Sequence, residues 1–345
     1  MTGWVAPGFE PVRAVFDDVL AATTGGAAFC VYRRGKPVAD LWGGFAEPGR
    51  PWEAGTPVVL FSGTKGLVAA VVAALGLDPD APVARFWPGF APDVRLHHVL
   101  AHTAGLPYVE AGGIDVLDNA ANAAALATQS PLWTPGERVA YHAVTYGYLL
   151  TELVRRAGHD LGTLVSELDP EVWLGTPPSV DNRVARLVRA PGYRVGTFVT
   201  DPAKRAVIDR MYGGLLAGDL INTVAYRRAG LAAGGGVGTA RAMARVYDRL
   251  LAGGPAVARA TRTWSEGVDA IADRPLRFGL GFELADPIGT YGPAEEAFGH
   301  SGAGGGRHGA WPAAGLAFSF CTNEMVAEDA DTRAARLLAA LYACA

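Results

Sequence analysis

The sequence predicts an α+β fold in which an antiparallel sheet flanked by helices is built from the two ends of the chain, with a mainly helical domain inserted between them. Three observations lead to this prediction. Strand-like apolar runs lie near both ends of the 345 residues, and short helical segments fill the middle. Half of the residues are apolar and only 19% are charged, so the chain can bury a large core and is not intrinsically disordered. The length fits one large domain or two interleaved domains.

The predicted sheet domain begins in residues 1–76. An amphipathic pattern over 9–23 predicts a helix. Two β-rich runs joined by turn residues at 34–37 then predict a hairpin. Residues 62–75 have a helical pattern that is apolar on nearly every side. We therefore expect this helix to be buried at the centre of the fold.

Residues 77–226 are predicted to form the inserted helical domain, because Pro- and Gly-rich turns divide them into short helices. These helices are predicted over 95–102, 119–129, 144–157, 161–168 and 203–216. The sheet domain resumes over 227–345 with a helix after the glycines at 234–238, several short strands and a closing helix. We expect the active site at the interface of the two domains.

Charge and composition narrow the possible partners. A formal net charge of −4, with no run of basic residues longer than two, argues against a nucleic-acid groove. The first residues contain neither a basic region followed by an apolar run nor a membrane-spanning pattern, so we predict a cytoplasmic protein without a membrane partner. Cys30, Cys321 and Cys344 have no C-x-x-C spacing. We expect them to be small buried hydrophobes, and we expect no metal and no cofactor.

The segment Ser62-Gly63-Thr64-Lys65 is the strongest candidate for chemistry. Residues three apart share one face of a helix, so the Ser62 hydroxyl and the Lys65 amine can come within hydrogen-bond distance. A serine in the first turn also lies near the positive end of the helix dipole. A lysine in apolar surroundings loses hydration, which lowers its pKa and lets the neutral amine act as a base. The alternative is that Ser62 caps the helix and Lys65 is exposed.

Two other patterns suggest rival chemistries. The run Gly299-His300-Ser301-Gly302-Ala303 nearly matches the G-x-S-x-G turn of α/β-hydrolases. That fold places its histidine well downstream, however, and His308 is the only later histidine. His98 and His102 could face one metal, but no carboxylate lies between them, where zinc hydrolases carry a glutamate. We therefore favour Ser62 as the nucleophile.

The evidence for a known family is not confined to Ser62-Gly63-Thr64-Lys65, because a series of sequence motifs occurs in a consistent order along the chain. They are LWGG, FSGTKGL, LDPDAPVARFWPGF, VRLHHVLAHTAGLP, WTPGERVAYHAVTYGYLL, GGGVGTARAMARVYDRLLAGG, FGLGFEL and FGHSGAGG. In these motifs the sequence resembles the serine hydrolases related to class C β-lactamases and penicillin-binding proteins, including the carboxylesterases with the β-lactamase fold. The resemblance covers most of the chain and is weaker over about 110–130 and 160–225.

The resemblance implies a second motif at Tyr141-His142-Ala143, where the family carries Tyr-x-Asn or a variant. Tyr141 would then move a proton between Ser62 and the leaving group, if neighbouring cations lower its pKa. Ala143 stands where an amide would hold the side chain of a penicillin.

The resemblance implies a third motif at His300-Ser301-Gly302, where β-lactamases carry Lys-Thr-Gly and the esterases often carry His-x-Gly. This edge strand would supply the N–H of Ala303, which would form an oxyanion hole with the N–H of Ser62. His300 would orient Tyr141 or the substrate. It also replaces the lysine that would pair with the carboxylate of a β-lactam, so we expect weak or no β-lactamase activity.

The function implied by the resemblance is hydrolysis of carboxylic esters through an acyl-enzyme on Ser62, with Lys65 and Tyr141 handling the proton. The partner would be a small-molecule ester or acyl substrate. An alternative is an acyltransferase of a biosynthetic pathway, in which an alcohol or amine captures the same acyl-enzyme. A minor alternative is a non-catalytic binding module. The choice of acceptor depends on the shape of the pocket, which motifs do not encode.

Overall fold

Strands from both ends of the chain form one large antiparallel sheet in the computed structural model, which describes residues 2–345. The strands are β1 (Thr2–Val5), β2 (Gly26–Arg33), β3 (Lys36–Glu47), β4 (Arg50–Pro51), β5 (Val58–Val59), β6 (Val172–Trp173), β7 (Val188–Arg189), β8 (Val237–Gly238), β9 (Ser265–Val268), β10 (Pro275–Phe278), β11 (Glu283–Leu284), β12 (Phe298–Ser301), β13 (Arg307–Trp311), β14 (Leu316–Thr322) and β15 (Glu324–Met325). The large sheet has the order β1-β3-β2-β14-β13-β12-β11-β10-β9, with β4 paired to β3. The predicted antiparallel sheet is confirmed.

Helices cover this sheet and fill the middle of the chain. They are α1 (Glu10–Ala21), α2 (Gly63–Leu75), α3 (Val83–Phe86), α4 (Leu96–Leu100), α5 (Asn119–Thr128), α6 (Thr145–Arg156), α7 (Leu161–Leu168), α8 (Pro178–Asp181), α9 (Pro202–Tyr212), α10 (Val224–Arg228), α11 (Ala240–Leu251), α12 (Gly254–Ala260) and α13 (Arg333–Tyr342). A short 3-10 helix spans Leu220–Asn222. The helices predicted between 77 and 226 are present, with ends that differ by up to a few residues, whereas the short α3, α8 and α10 are absent from the sequence prediction.

The two faces of β2 explain why helices pack on both sides of the sheet. Successive side chains of a strand point to opposite faces. Phe29 and Val31 pack in one apolar cluster with α1 and α13, whereas Ala28 and Cys30 pack in another with α2 and α11. A strand that is buried on both faces therefore has a continuous apolar run in place of an alternating one.

Helix α2 lies in the core, as the sequence predicts. Every residue over 63–72 is buried, and the helix ends at Gly76, which has a left-handed φ of 64°. At its start, the N–H of Leu60 donates to the carbonyl oxygen of Gly236 at 2.9 Å. Strand β5 pairs with β8, and β8 pairs with β6. This small sheet fixes the place where α2 begins.

The middle of the chain is joined to the sheet domain at two further places. Strand β6 completes the small sheet, and β7 pairs with β15 in parallel. The inserted segment is therefore less purely helical than predicted, while the domain bounds 1–76, 77–226 and 227–345 stay a prediction. Within residues 2–345, no helix has the length and apolar character needed to cross a membrane.

The cysteines differ in their surroundings. Cys30 and Cys321 are buried, as expected for small hydrophobes. Cys344 near the end of the chain is only half-buried, because it follows the last turn of α13. All three carry free thiols.

Candidate active site

Ser62 lies at the start of α2, directly after a residue with a rare backbone conformation. Phe61 has a φ of 48°, in the left-handed region that a bulky residue adopts at a cost of about 1–3 kcal/mol. Its carbonyl oxygen accepts the backbone N–H of Thr64 at 2.9 Å and the hydroxyl of Thr64 at 2.6 Å, and these bonds hold the turn. Ser62 occupies the N-cap position of α2, as the capping alternative expects, but its side chain makes no capping hydrogen bond. The hydroxyl is therefore available for chemistry.

The amine of Lys65 is held beside Ser62 by two backbone carbonyls. Lys65 has no exposed surface, so the alternative of an exposed lysine is wrong. Its Nζ lies 2.8 Å from the oxygens of Ala143 and Ala233 and 3.1 Å from Ser62 Oγ. A neutral amine has two N–H groups and one lone pair. Because the two carbonyls accept both N–H groups, the lone pair is directed at the serine hydroxyl, where it can accept the proton.

Burial sets the protonation state of Lys65. It lowers the pKa of the amine to about 7, and the charge of Glu283 opposes this shift. A lysine in water is almost wholly protonated at neutral pH, whereas a substantial fraction of Lys65 is neutral there. The ring of Tyr141 lies 4.8 Å from Nζ and the ring of Tyr146 lies 5.8 Å from it. These ring faces stabilise the cation that forms after proton transfer.

Tyr141 faces Ser62 from the segment before α6. Its backbone N–H donates to Asp269 at 3.1 Å, and its ring stacks on Phe278 with the centroids 6.1 Å apart. Burial and the charge of Glu283 hold the pKa of Tyr141 well above its ordinary value and outweigh a hydrogen bond with Ser62, which lowers it. The condition that nearby cations lower this pKa is therefore wrong. The phenol stays protonated, and it can donate or relay a proton.

The third motif lies on β12 and the following turn, packed against the start of α2. A Cβ on Gly302 would be 2.5 Å from the carbonyl oxygen of Leu60, so the close approach requires glycine. The approach brings Ala303 to the wall beside Ser62. Among residues 2–345, neither the N–H of Ala303 nor that of Ser62 has a hydrogen-bond acceptor. Both donors are free to stabilise an oxyanion.

His300 is buried behind the site. It has no exposed surface, and its Nδ1 lies 3.0 Å from the carbonyl oxygen of Ser301. Burial lowers the pKa of the imidazole to about 4, so the ring is neutral at pH 7. Its centroid is 6.3 Å from that of Tyr141, and no hydrogen bond joins these two side chains in the described chain. Any orienting effect on Tyr141 would therefore act through packing.

Glu283 on β11 is a site residue that the sequence analysis missed. Its carboxylate accepts the hydroxyl of Tyr291 and the backbone N–H of Ser301, the latter at 3.0 Å. Burial opposes its ionisation, but nearby basic side chains and these bonds outweigh that effect and hold its pKa below the ordinary value. The result is a fixed negative charge near Lys65. An acid inside the otherwise apolar run FGLGFEL is the signal that could have revealed it.

Two pockets meet at Ser62. The larger is an open cleft of about 950 Å³ when the space open to solvent is counted. Its wall carries the predicted site residues Ser62, Tyr141, Ser301, Gly302 and Ala303. The smaller, of about 360 Å³, has mostly apolar walls formed by Phe61, Ala143, Val144, Leu215, Leu216 and Leu231. Ser62, Tyr212 and Ala303 border both pockets, so a carbonyl group at this junction could extend one substituent into each.

The fold and the site have counterparts among known proteins. A family model described as Beta-lactamase matches residues 12–342. The chain belongs to the β-lactamase family. One relative is the esterase/β-lactamase LipL of Mycobacterium tuberculosis (strain ATCC 25618 / H37Rv), which is 32% identical over 352 aligned positions that cover 91% of this chain and 81% of the relative.

Solved structures place this β-lactamase family member among serine hydrolases of the esterase and β-lactamase type. A family VIII carboxylesterase has a TM-score of 0.90 and 31% identity, covering 100% of this chain and 99% of that chain. A penicillin-binding protein homologue from Caulobacter crescentus has a TM-score of 0.88 and 32% identity, with coverage of 100% and 99%. The predicted family resemblance and the α+β fold are confirmed.

In this β-lactamase family member, we expect Ser301→Ala to give a folded protein that loses no more than about fivefold in activity. The Ser301 hydroxyl donates to Glu283 at 3.2 Å, and the backbone N–H, which the substitution keeps, donates to the same carboxylate at 3.0 Å. Within residues 2–345 no imidazole is hydrogen-bonded to this hydroxyl, and His308 Nδ1 lies 2.8 Å from Ser319 Oγ. Ester hydrolysis and thermal unfolding are the measurements. Complete inactivation without an adduct on Ser62 would restore Ser301 as the nucleophile.

Proposed function

We propose that this protein hydrolyses carboxylic esters through an acyl-enzyme on Ser62. The observation that carries the proposal is the 3.1 Å distance between Lys65 Nζ and Ser62 Oγ, with two carbonyl oxygens occupying the other contacts of the amine. The relatives named as an esterase and a carboxylesterase support it. A binding module would gain nothing from a buried lysine beside a hydroxyl, because burying an amine is costly.

Acylation begins with proton transfer from Ser62 to the neutral amine of Lys65. As Oγ bonds to the carbonyl carbon, negative charge develops on the carbonyl oxygen, where the N–H groups of Ser62 and Ala303 stabilise it. The bond between the carbonyl carbon and the alcohol oxygen then breaks. The departing alkoxide takes a proton from Tyr141, which recovers one from Lys65. An ester of Ser62 and a free alcohol result.

Deacylation reverses the roles, with water in the space that the alcohol has left. The water oxygen attacks the carbonyl carbon while its proton passes to Lys65, directly or through the phenol of Tyr141. The same two N–H groups stabilise the second oxyanion. When the bond to Oγ breaks, Lys65 returns the proton to Ser62. The carboxylic acid leaves, and the free enzyme is restored.

The proposal includes weak or no β-lactamase activity. Ala143 has no amide to hold the side chain of a penicillin. His300 has no positive charge to pair with a carboxylate, because burial lowers its pKa to about 4. Both groups that would hold a β-lactam at these positions are therefore missing.

The rate of acylation should rise with pH through a midpoint near 7. Below the Lys65 pKa of about 7 the amine is protonated and has no lone pair for the serine proton, and above it the neutral base predominates. The pKa of Tyr141 lies well above its ordinary value, so the phenol does not limit the rate near neutrality. The measurement is kcat/KM for p-nitrophenyl butyrate between about pH 5 and about pH 9. A profile that is flat through neutrality would exclude Lys65 as the base.

A fluorophosphonate probe tests the nucleophile directly. Mass spectrometry of the treated protein should locate one adduct on the peptide that contains Ser62, and Ser62→Ala should remove it. Ser301→Ala is the matched serine control and should keep the adduct. Wild-type protein that stays unlabelled and fails to hydrolyse p-nitrophenyl butyrate would favour the binding module.

An acyltransferase is the second candidate, and the open side of the cleft favours it. The cleft is open to solvent and has polar side chains on its wall, so an acceptor alcohol can approach the acyl group on Ser62. Turnover of p-nitrophenyl butyrate would be measured with and without added alcohols and amines, and the products would be separated. We expect mainly butyric acid. If the ester or amide formed with the acceptor is the dominant product, acyl transfer replaces hydrolysis as the proposed function.

A further inference from the structure

The carboxylates on the wall of the larger cleft are already bound within the protein. Asp269 accepts the N–H groups of Tyr141, Ile271 and Ala272, Glu283 binds Tyr291 and Ser301, Glu328 pairs with Arg274, and Asp331 pairs with Arg333. Asp269 has no exposed surface, and Glu283 is 9% exposed. A cation entering the cleft would compete with these existing bonds, so it would find little unfilled acceptor capacity.

Two arginines on the same wall, unlike Arg274, which pairs with Glu328, form no ion pair within residues 2–345. Arg194 is exposed, and no hydrogen bond or ion pair is found for it among residues 2–345. Arg307 is half-buried, and its Nη1 donates to the backbone carbonyl of the adjacent Gly306 at 3.1 Å. No carboxylate of the described chain lies within 4 Å of either guanidinium. Each arginine can therefore donate to an incoming anion without giving up an ion pair.

Arg307 is also close to the chemistry. It begins β13 and pairs with Ser301 across the β12–β13 ladder. Ser301 and Arg307 both line the cleft that Ser62 borders. An anionic group on a substrate bound there would meet a guanidinium while the ester carbonyl lies at the junction of the pockets.

The two pockets differ in what they can hold. The smaller one is mainly apolar, so it favours an uncharged hydrocarbon acyl group. The larger one is open and carries the free guanidinium groups, so it favours the polar part of the ester. It also gives the released alcohol space to leave and water space to enter.

We propose that the cleft is a binding site for a carboxylate on the alcohol part of the ester, recognised by Arg307 and Arg194. This inference rests on the proposed esterase function and adds a substrate class to it, namely an apolar acyl group joined to an acidic alcohol. Arginine forms paired, charge-assisted hydrogen bonds with carboxylates. The proposed site uses neither of the two positions that would hold a β-lactam. His300 in the third motif is neutral, and Ala143 has no amide group.

The test compares two esters that differ only in charge. They are the butyrates of para-carboxybenzyl alcohol and of para-carbamoylbenzyl alcohol, which have similar leaving groups and similar shapes. We expect wild-type kcat/KM to be at least about tenfold higher for the carboxylate. Added salt should reduce this preference because it screens the exposed Arg194. The preference should appear mainly in KM, since the carboxylate is bound before and during the reaction.

Variants connect the preference to the two arginines. Arg307→Gln and Arg194→Gln should each lower the ratio of the two kcat/KM values, and the double variant should bring it to within about twofold of one. Arg85→Gln is the matched control, because Arg85 is an exposed arginine of α3 that borders neither pocket. Thermal unfolding of each variant checks the fold. If Arg307→Gln does not fold, Arg194→Gln decides, because its side chain is exposed.

The outcomes separate this inference from the proposed function. Equal cleavage of both esters by the wild type would overturn the carboxylate site and leave the esterase standing. A preference that survives in the double variant would overturn the assignment to these arginines. Failure to cleave either ester, together with an unlabelled Ser62, would overturn the proposed function and the substrate class with it.

Discussion

Replacing Lys65 with arginine should lower the rate of Ser62 acylation by about 10²–10⁴-fold, although the substitution preserves the charge. A guanidinium keeps its proton at any accessible pH, so it has no lone pair to receive the serine proton. In the wild type, the two carbonyl oxygens at 2.8 Å leave the lone pair of the neutral amine for Ser62. The measurements are the rate of fluorophosphonate labelling and the turnover of p-nitrophenyl butyrate.

Two controls separate this chemical effect from a loss of folding. Lys36→Arg makes the same substitution on an exposed strand end, and it should leave labelling and turnover unchanged. Lys65→Met removes the charge and keeps an unbranched side chain, and it should be as inactive as Lys65→Arg while its thermal unfolding stays cooperative. Retained activity in Lys65→Arg would remove the lysine from the mechanism.

Gly302→Ala should lower kcat by about 10²–10³-fold, the effect expected from losing one oxyanion donor. The new Cβ would lie 2.5 Å from the carbonyl oxygen of Leu60. Because this neighbour is backbone, the turn after β12 must move away from the start of α2. That movement separates the N–H of Ala303 from the N–H of Ser62. The measurement is kcat for p-nitrophenyl butyrate, with thermal unfolding to confirm that the protein is folded.

The matched control is Gly112→Ala. A Cβ added to Gly112 would meet no other atom within 4 Å, and this glycine has no left-handed φ, so alanine fits without strain. We expect wild-type turnover from it. Wild-type kcat in a folded Gly302→Ala protein would show that the spacing between the two N–H groups does not control the reaction.

Local pattern was enough to predict that the side chains of Ser62 and Lys65 lie side by side. Ser62 and Lys65 are three residues apart at the start of an apolar helix, and helical geometry alone brings them to one face. The same apolar pattern predicts that α2 is buried. Burial of the helix in turn predicts the lowered pKa of Lys65.

Other parts of the site depend on contacts that local pattern does not encode. The two carbonyl acceptors of Lys65 belong to Ala143 and Ala233, which are 78 and 168 residues away in sequence. Backbone carbonyls also have no sequence signature. The prediction that nearby cations lower the pKa of Tyr141 was wrong for the same reason. This pKa depends on the depth of burial and on Glu283, which reaches the site from a distant strand. Residue type alone gives neither quantity.

The left-handed backbone at Phe61 has a consequence for acyl selectivity. Its ring is buried, lines the smaller pocket and packs beneath Gly304, where an added Cβ would be 2.8 Å from the ring. Truncating a buried phenylalanine to alanine typically costs about 3–5 kcal/mol, which exceeds the torsional cost of about 1–3 kcal/mol. An acyl chain too bulky for the pocket would displace the ring, and the backbone would then relax and turn Ser62 away. Oversized acyl chains should therefore lower the rate of the chemical step more than they weaken substrate binding.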